Sequence, residues 1–356
     1  MKKKNRTCSI LCPALVILLI LVLSGCSGKG PSTANNQVSS TYTITDMAGR
    51  QVTIPKKVQR ILALHPVATY LLWRLAPNKL VSVDKLFRQE YLQPGSMQCF
   101  SAADVARLRK LPVTGVFFSG VDPEQILALH PNVVITIVRH PKLNQFAHQI
   151  GIPVVCFAKD ALQNYPPSIR MIGKIVGNET EANKLASYWV TTLRSVKNVA
   201  SKIPESQKLR VYYANKQILT TPDPQSIMSS IIDTAGGLNV GDSLPGSNNE
   251  NTPVSMEQVL KWNPQVILTA SGAEKQQIIT SPAWKNISAV KDNRVYVRPR
   301  YGNTDGPSAI MGLVWTQDVL LHPSDMSSYD QQVKAFYKLF FNYNITPAEI
   351  NEVVSE

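Results

Sequence analysis

A fourteen-residue pattern occurs twice in this chain, 133 residues apart. Asp122-Pro123-Glu124-Gln125-Ile126-Leu127-Ala128-Leu129-His130-Pro131-Asn132-Val133-Val134-Ile135 is matched by Ser255-Met256-Glu257-Gln258-Val259-Leu260-Lys261-Trp262-Asn263-Pro264-Gln265-Val266-Ile267-Leu268. Both copies read Glu-Gln, a β-branched residue, Leu, two variable positions, a polar residue, Pro, and then a strand-like apolar run. Each predicts a short helix, a proline-bearing turn and a buried parallel strand. Two such units at this separation imply two lobes of similar, pseudo-symmetric construction.

The segments around each copy agree with this. Residues 59–65, 80–84, 133–138 and 153–157 read as strands, with helices over 67–75 and 124–129 between them. The rhythm restarts with strands at 209–214, 264–269 and 294–297 and helices at 226–235, closed by Gly236-Gly237, and 257–262. Alternation of this kind predicts mostly parallel sheets covered by helices. Between the lobes, 169–176 reads as a helix that Gly177 can close. Asn178 can then cap a second helix running to about residue 203, before Pro204. Ala182, Leu185, Ala186, Trp189, Leu193, Val196 and Ala200 recur at spacings of three and four along it. About 24 residues at ~1.5 Å each make a rod of about 36 Å, stiff enough to limit hinge motion between the lobes. The expected fold is therefore α/β, two Rossmann-like lobes with mostly parallel sheets joined by one long α-helix. The divisions are 41–165 for the N-terminal lobe, 166–204 for the linking helices, and 205–356 for the C-terminal lobe with its C-terminal helices.

The start of the chain follows another logic. Met1-Lys2-Lys3-Lys4-Asn5-Arg6 is a basic head, 10–23 is mostly apolar, and Leu23-Ser24-Gly25-Cys26 follows. The order resembles a bacterial lipoprotein signal over 1–25, cleaved before Cys26, whose thiol takes the lipid. The alternative is a retained anchor, for which the run is short against the ~20 residues a span needs. Residues 26–40, rich in Ser, Gly, Asn and Pro, read as a flexible tether. The expected location is extracytoplasmic, lipid-anchored at the cell surface or in the periplasm. The formal net charge is +13, but no Arg- or Lys-rich run with interleaved aromatics accompanies it. We read the excess as a bias toward a membrane surface or an anionic ligand, with no nucleic-acid partner. Of the two cysteines left unmodified, Cys156 lies in an apolar run. Cys99 and Cys156 either pair in an oxidising compartment or serve as small buried side chains.

With these features in view, the chain resembles the substrate-binding component of bacterial ABC importers for iron–siderophore, haem and cobalamin, the helix-linked group of periplasmic binding proteins. The resemblance spans roughly 42–345. It rests on Thr45-Asp46-Met47-Ala48-Gly49-Arg50-Gln51-Val52-Thr53-Ile54-Pro55, similar to the family's opening hairpin, on Arg60-Ile61-Leu62-Ala63-Leu64-His65-Pro66, Leu80-Val81-Ser82-Val83-Asp84 and Pro112-Val113-Thr114-Gly115, and on the two Glu-Gln repeats. Tyr70 stands where the family's first helix often has Glu, and Leu75-Ala76-Pro77-Asn78 lacks the usual Gly. Near the C-terminus, 336–341 resembles helices of some iron-complex binding members. A Glu in the first helical turn is by itself a stabilising placement worth about 0.3–1 kcal/mol. The resemblance implies a further role for Glu124 and Glu257, one per lobe, in engaging arginines of the permease.

In parallel sheets ligands bind beyond the carboxyl ends of the strands. That rule selects His65, Arg139, His140, Asn215, Lys216, Ser271, Arg300 and Tyr301, with Phe117 and Phe118 as aromatic wall. His65 has a plain alternative as a hydrogen-bonded turn residue, and His130 and His322 read as helix-end residues. Guanidinium and phenol groups suit the carboxylate, catecholate or hydroxamate oxygens of an anionic chelate. The cargo the resemblance implies is a ferric siderophore or related metal complex, with corrinoid, haem and nickel or cobalt chelates as alternatives. The expected partners are an ABC permease and its ATPase subunits, with no intrinsic cofactor, no catalytic residue and no protein metal ligand. An exported enzyme or a surface sensor on the same fold is the rival class. The chain has no Gly-x-Ser-x-Gly, His-Glu-x-x-His, Cys-x-x-Cys or phosphate loop to favour an enzyme.

Overall fold

The computed structural model describes residues 40–92, 100–117, 120–138, 142–246, 251–299 and 306–350. All belong to one compact unit, Ser39–Glu356. Cys26, the tether and Cys99 lie outside the described residues.

The N-terminal half opens with an antiparallel hairpin, β1 (Thr41–Thr45) and β2 (Gln51–Pro55). Asp46 fastens its turn. The buried carboxylate accepts from the backbone N–H groups of Ala48, Arg50 and Cys156 and pairs with the Arg50 guanidinium at 2.6 Å. There follow β3 (Ile61–Ala63), α1 (Pro66–Leu75), β4 (Val83–Asp84), α2 (Lys85–Tyr91), α3 (Ala102–Lys110), β5 (Val113–Thr114), α4 (Pro123–Ala128), β6 (Val133–Ile137), α5 (Leu143–Ile150) and β7 (Val154–Phe157). Strands β3, β6 and β7 form a parallel sheet in that order, and β4 and β5 pair parallel beside it.

Helices α6 (Tyr165–Val176) and α7 (Glu179–Ala200) cross to the second half. The expected glycine stop is present, with Gly177 at φ 72°. Asn178 occupies the position before α7 but does not cap it. Its side-chain amide instead donates to the carbonyl of Leu75 at the end of α1. The two linking helices approach so closely that a β-carbon on Gly173 would lie 2.2 Å from that of Ala182. The stripe on α7 is buried from Ala182 to Val196, and Ala200 is half-buried. Trp189 stacks on Tyr165 at 4.2 Å and donates its indole N–H to the Leu162 carbonyl.

The C-terminal half comprises β8 (Arg210–Ala214), β9 (Thr220–Thr221), α8 (Ile227–Ala235), β10 (Leu238–Asn239), β11 (Thr252–Pro253), α9 (Met256–Trp262), β12 (Val266–Thr269), α10 (Gly272–Thr280), α11 (Ser288–Lys291), β13 (Val295–Val297), α12 (Ala309–Leu321) and α13 (Ser327–Phe341). Its main sheet is wholly parallel, in the order β10-β8-β12-β13.

Alternation along the strands divides the core in three. Ile61, Ala63, Val133 and Ile135 on one sheet, and Val211, Tyr213, Val266 and Leu268 on the other, face a single large cluster that includes α1, the linking helices, α8, α12 and α13. The opposite faces, Leu62, Leu64 and Val134 in the first half and Tyr212 and Ile267 in the second, pack in two smaller clusters that hold Ile126 and Val259 respectively. Period-two side-chain direction thus gives each sheet an inner face on the shared core and an outer face under its own short helix. Polar ties reinforce the centre. The Arg74 guanidinium on α1 bridges Glu181 on α7 and the carbonyl of Leu339 on α13. Tyr70, where a Glu is usual, is buried and donates its hydroxyl to the Phe340 carbonyl at 2.6 Å.

Candidate functional site

The two repeat helices correspond position by position. Asp122 and Ser255 cap α4 and α9, accepting the backbone N–H of Glu124 and of Gln258. Glu124 and Glu257 each occupy the second position of their helix, and both are exposed. Ile126 and Val259, both wholly buried, anchor the helices to the outer face of each sheet. Each helix ends on a left-handed residue, His130 at φ 45° and Asn263 at φ 41°.

A feature missed in the sequence holds these ends in place. Arg60, just before β3, donates from Nε to the carbonyls of Leu129 (3.3 Å) and His130 (3.1 Å) and from Nη2 to Leu129 (2.7 Å). Arg210, at the start of β8, donates from Nε to Trp262 (3.1 Å) and Asn263 (3.3 Å) and from Nη2 to Asn263 (3.0 Å). A guanidinium at the C-terminal carbonyls of a helix satisfies otherwise unpaired acceptors and opposes the helix dipole. The surroundings correspond as well. Asn132 Oδ1 accepts from the Arg60 backbone N–H and Gln265 Oε1 from that of Arg210. Ile61 pairs with Val133 as Val211 pairs with Val266. Extending the repeat backwards to the first strand of each lobe would have revealed the two arginines.

At the carboxyl ends of the strands, the described candidates fall into two groups. His65, Phe117 and Phe157 come together beyond β3, β5 and β7, with ring centroids 5.8 Å and 6.1 Å from His65. His65 is buried and caps α1, its Nδ1 accepting the Val67 N–H at 3.2 Å, which agrees with its turn alternative. In the second lobe, buried Asn215 donates its side-chain amide to Asn251 at 3.1 Å, and its carbonyl accepts from the Thr220 hydroxyl. Lys216 follows, exposed and left-handed at φ 65°. Ser271 forms a capping box with Glu274 at the start of α10, so its hydroxyl serves the helix. Phe118, Arg139, His140, Arg300 and Tyr301 lie outside the described residues.

The same strand-end rule, applied to β7, would have found Lys159, whose buried ammonium lies 3.8 Å from Asp160. It would not have found Tyr165, whose hydroxyl accepts the Gly306 N–H at 2.7 Å and so joins the linking helices to the approach to α12. Cys156 is a free, buried thiol, pushed up to about 12 chiefly by burial, as the small-side-chain reading expects. No group of three or more His, Cys, Asp or Glu side chains among the described residues is placed to hold a metal ion. No helix among them is long and apolar enough to cross a membrane.

Two parallel-sheet lobes on one helical spine, each displaying a matched acidic helix, are the construction of a solute-binding receptor. The chain belongs to the periplasmic binding protein family, whose sequence profile matches residues 67–301. It is the substrate-binding component of an ABC importer. It is 25% identical over 334 residues to the molybdate-binding protein MolA of Haemophilus influenzae, covering 85% of this chain and 92% of that one. It is 26% identical over 318 residues to an ABC transporter substrate-binding lipoprotein, YvrC, of Bacillus subtilis, covering 84% and 93%. Among solved structures, an ABC transporter solute-binding protein from Sulfurospirillum deleyianum superposes with a TM-score of 0.76 at 25% identity, over 88% of this chain and 99% of that chain.

Proposed function

We propose that this receptor captures a negatively charged metal complex of the iron–siderophore type outside the cytoplasmic membrane, held there by a lipid on Cys26. It hands the complex to its permease by docking Glu124 and Glu257 onto arginines. The observation that carries this reading is the equivalence of the two glutamates: same helical position, same exposure, same arginine-fastened support in each lobe. Two carboxylates on a braced body make a two-point dock, and bidentate guanidinium contacts give orientation as well as attraction.

The chemistry of the strand ends supports an anionic cargo. Lys216 brings an exposed positive charge, Lys159 an ammonium shared with Asp160, and His65, Phe117 and Phe157 an aromatic wall. Arg139, Arg300 and Tyr301 are assigned to the same rim from sequence. Because α7 is a continuous 22-residue helix packed into the shared core, closure around the cargo is small. Release follows docking, driven by ATP hydrolysis on the other side of the membrane, and the chain itself breaks no bonds. Molybdate is the second reading, favoured by similarity to MolA along nearly the whole chain.

The test has two arms. Quenching of tryptophan fluorescence in the soluble form beginning after Cys26 is titrated with ferric siderophores, molybdate, cobalamin and haem. The compound that binds then serves as cargo in uptake assays with Glu124→Ala/Glu257→Ala. Uptake is expected to fall at least roughly tenfold with cargo affinity kept, since each lost charge-assisted contact is worth about that factor. Unchanged uptake defeats the docking assignment, and a protein that quenches with none of the four loses the cargo assignment.

A further inference from the structure

The cap, the glutamate, the buried anchor and the left-handed end of the repeat each have a role in the account above. The matched leucine has none. Leu127 and Leu260 stand at equivalent places, and they are 41% and 44% exposed. They are the only exposed leucines among the described residues. A single surface leucine calls for no explanation. Two on matched helices, each three residues after the matched glutamate, do. Residues three apart share a helix face, so each carboxylate has an apolar neighbour beside it, while Ile126 and Val259 point into the lobes. The shared Gln125 and Gln258 are not equivalent in use, since the Gln125 amide is donated to the Val113 carbonyl, and the next positions after the leucines differ, Ala128 in one helix and Lys261 in the other; the apolar part of the shared surface is the leucine.

We infer that Leu127 and Leu260 are the apolar halves of the two docking points, and that the permease offers, at each point, an apolar socket beside the cationic side chain that meets the glutamate. This rests on the docking role proposed above. The repetition of the leucine beside the docking glutamate in both lobes commits the occupant to that permease. The leucines sit where an apolar rim strengthens an ion pair, because excluding water from around the pair lowers the local dielectric. The paired contacts also divide the labour. The carboxylates give long-range, salt-sensitive steering, and the leucines a short-range, salt-insensitive hold.

The experiment measures docking of the full-length receptor to its permease–ATPase complex in nanodiscs at roughly 50 and roughly 500 mM NaCl, which bracket the range over which exposed charges become screened. Wild type is compared with Leu127→Ala/Leu260→Ala and Glu124→Gln/Glu257→Gln. The leucine pair is expected to lose roughly tenfold in affinity at both salts, the scale of removing two partly buried leucine contacts. Its salt dependence and melting temperature stay at the wild-type values, since alanine suits an exposed helix site. The glutamate pair is expected to lose affinity mainly at low salt and to flatten the salt dependence. If the leucine pair docks like wild type while the glutamate pair does not, the inference falls and the docking reading survives. If neither pair alters docking, both fall. If the leucine pair abolishes self-association, or binding to anionic lipid vesicles, with permease docking intact, the leucines serve another surface and the inference is overturned.

Discussion

At the end of α4 the left-handed turn is made by His130, whose imidazole is exposed; at the end of α9 it is made by Asn263, whose side chain is at work. Asn263 Oδ1 accepts from both the backbone N–H (2.9 Å) and the hydroxyl (3.1 Å) of Ser288, tying the turn to the start of α11. The first lobe fixes its helix elsewhere, through the Gln125 amide donated to the Val113 carbonyl at 2.9 Å. Caps and tethers thus differ between lobes. The arginine fastening, the buried β-branched anchor, the glutamate and the exposed leucine do not. What two diverged copies keep in common is what sets the helix position or what a partner touches. What they vary is how the local polar groups are satisfied.

The largest expected effect separates the two turns. Asn263→Ala removes an amide that suits the left-handed region and leaves the Ser288 N–H without its acceptor. Together these cost about 2–3 kcal/mol in urea unfolding. His130→Ala at the equivalent place loses no such contact and is expected to cost well under about 1 kcal/mol. Equal costs would show that Ser288 does not hold the α9 turn, and the contrast between the lobes would collapse.

Next in size are the arginines, where equality rather than contrast is expected. Arg60→Ala and Arg210→Ala each free the last carbonyls of one short helix. Both guanidinium groups are exposed, so each contact set is worth only about 0.5–1.5 kcal/mol. That corresponds to faster hydrogen exchange, by roughly three- to tenfold, confined to α4 in one variant and α9 in the other. Lysine at either place restores part of the protection. Exchange that rises in one lobe alone would mean that the matched distances do not reflect matched function.

Much of this architecture was legible because continuous apolar runs mark strands buried on both faces, as at 133–137 and 266–269. The glycine at 177 and the stripe from Ala182 to Val196 likewise announce α6 and α7. Of the two-residue strands, β4 lies within the run read as a strand at 80–84, whereas β5, β9, β10 and β11 leave no such trace, because so few residues carry no period. Helix α12 is buried nearly all round and lacks a polar face to reveal its turn, so in the sequence only its end at His322 is marked. The glutamates could be found because they sit inside the repeat. The arginines that support them stand outside the fourteen-residue pattern, at or just ahead of the first parallel strand of each lobe, and a side-chain bond to a carbonyl some fifty to seventy residues away imposes no local pattern of its own. His65 and Ser271 show the converse: the strand-end rule located them, but their polar atoms cap helices.

The smallest single effect, at His130, belongs to the sharpest comparison, because one substitution changes sign between the lobes. At φ 45° a histidine β-carbon crowds the backbone, a strain that glycine lacks. Glycine in turn loses more conformational freedom on folding, so His130→Gly is expected to stabilise by only about 0.5 kcal/mol. Asn263→Gly relieves a milder strain and breaks both bonds to Ser288, so it is expected to destabilise by about 1–2 kcal/mol. Paired urea titrations read the difference directly. If both glycine variants move stability the same way, backbone geometry alone governs the two turns, and the tether from Asn263 to Ser288 contributes nothing that the first lobe lacks.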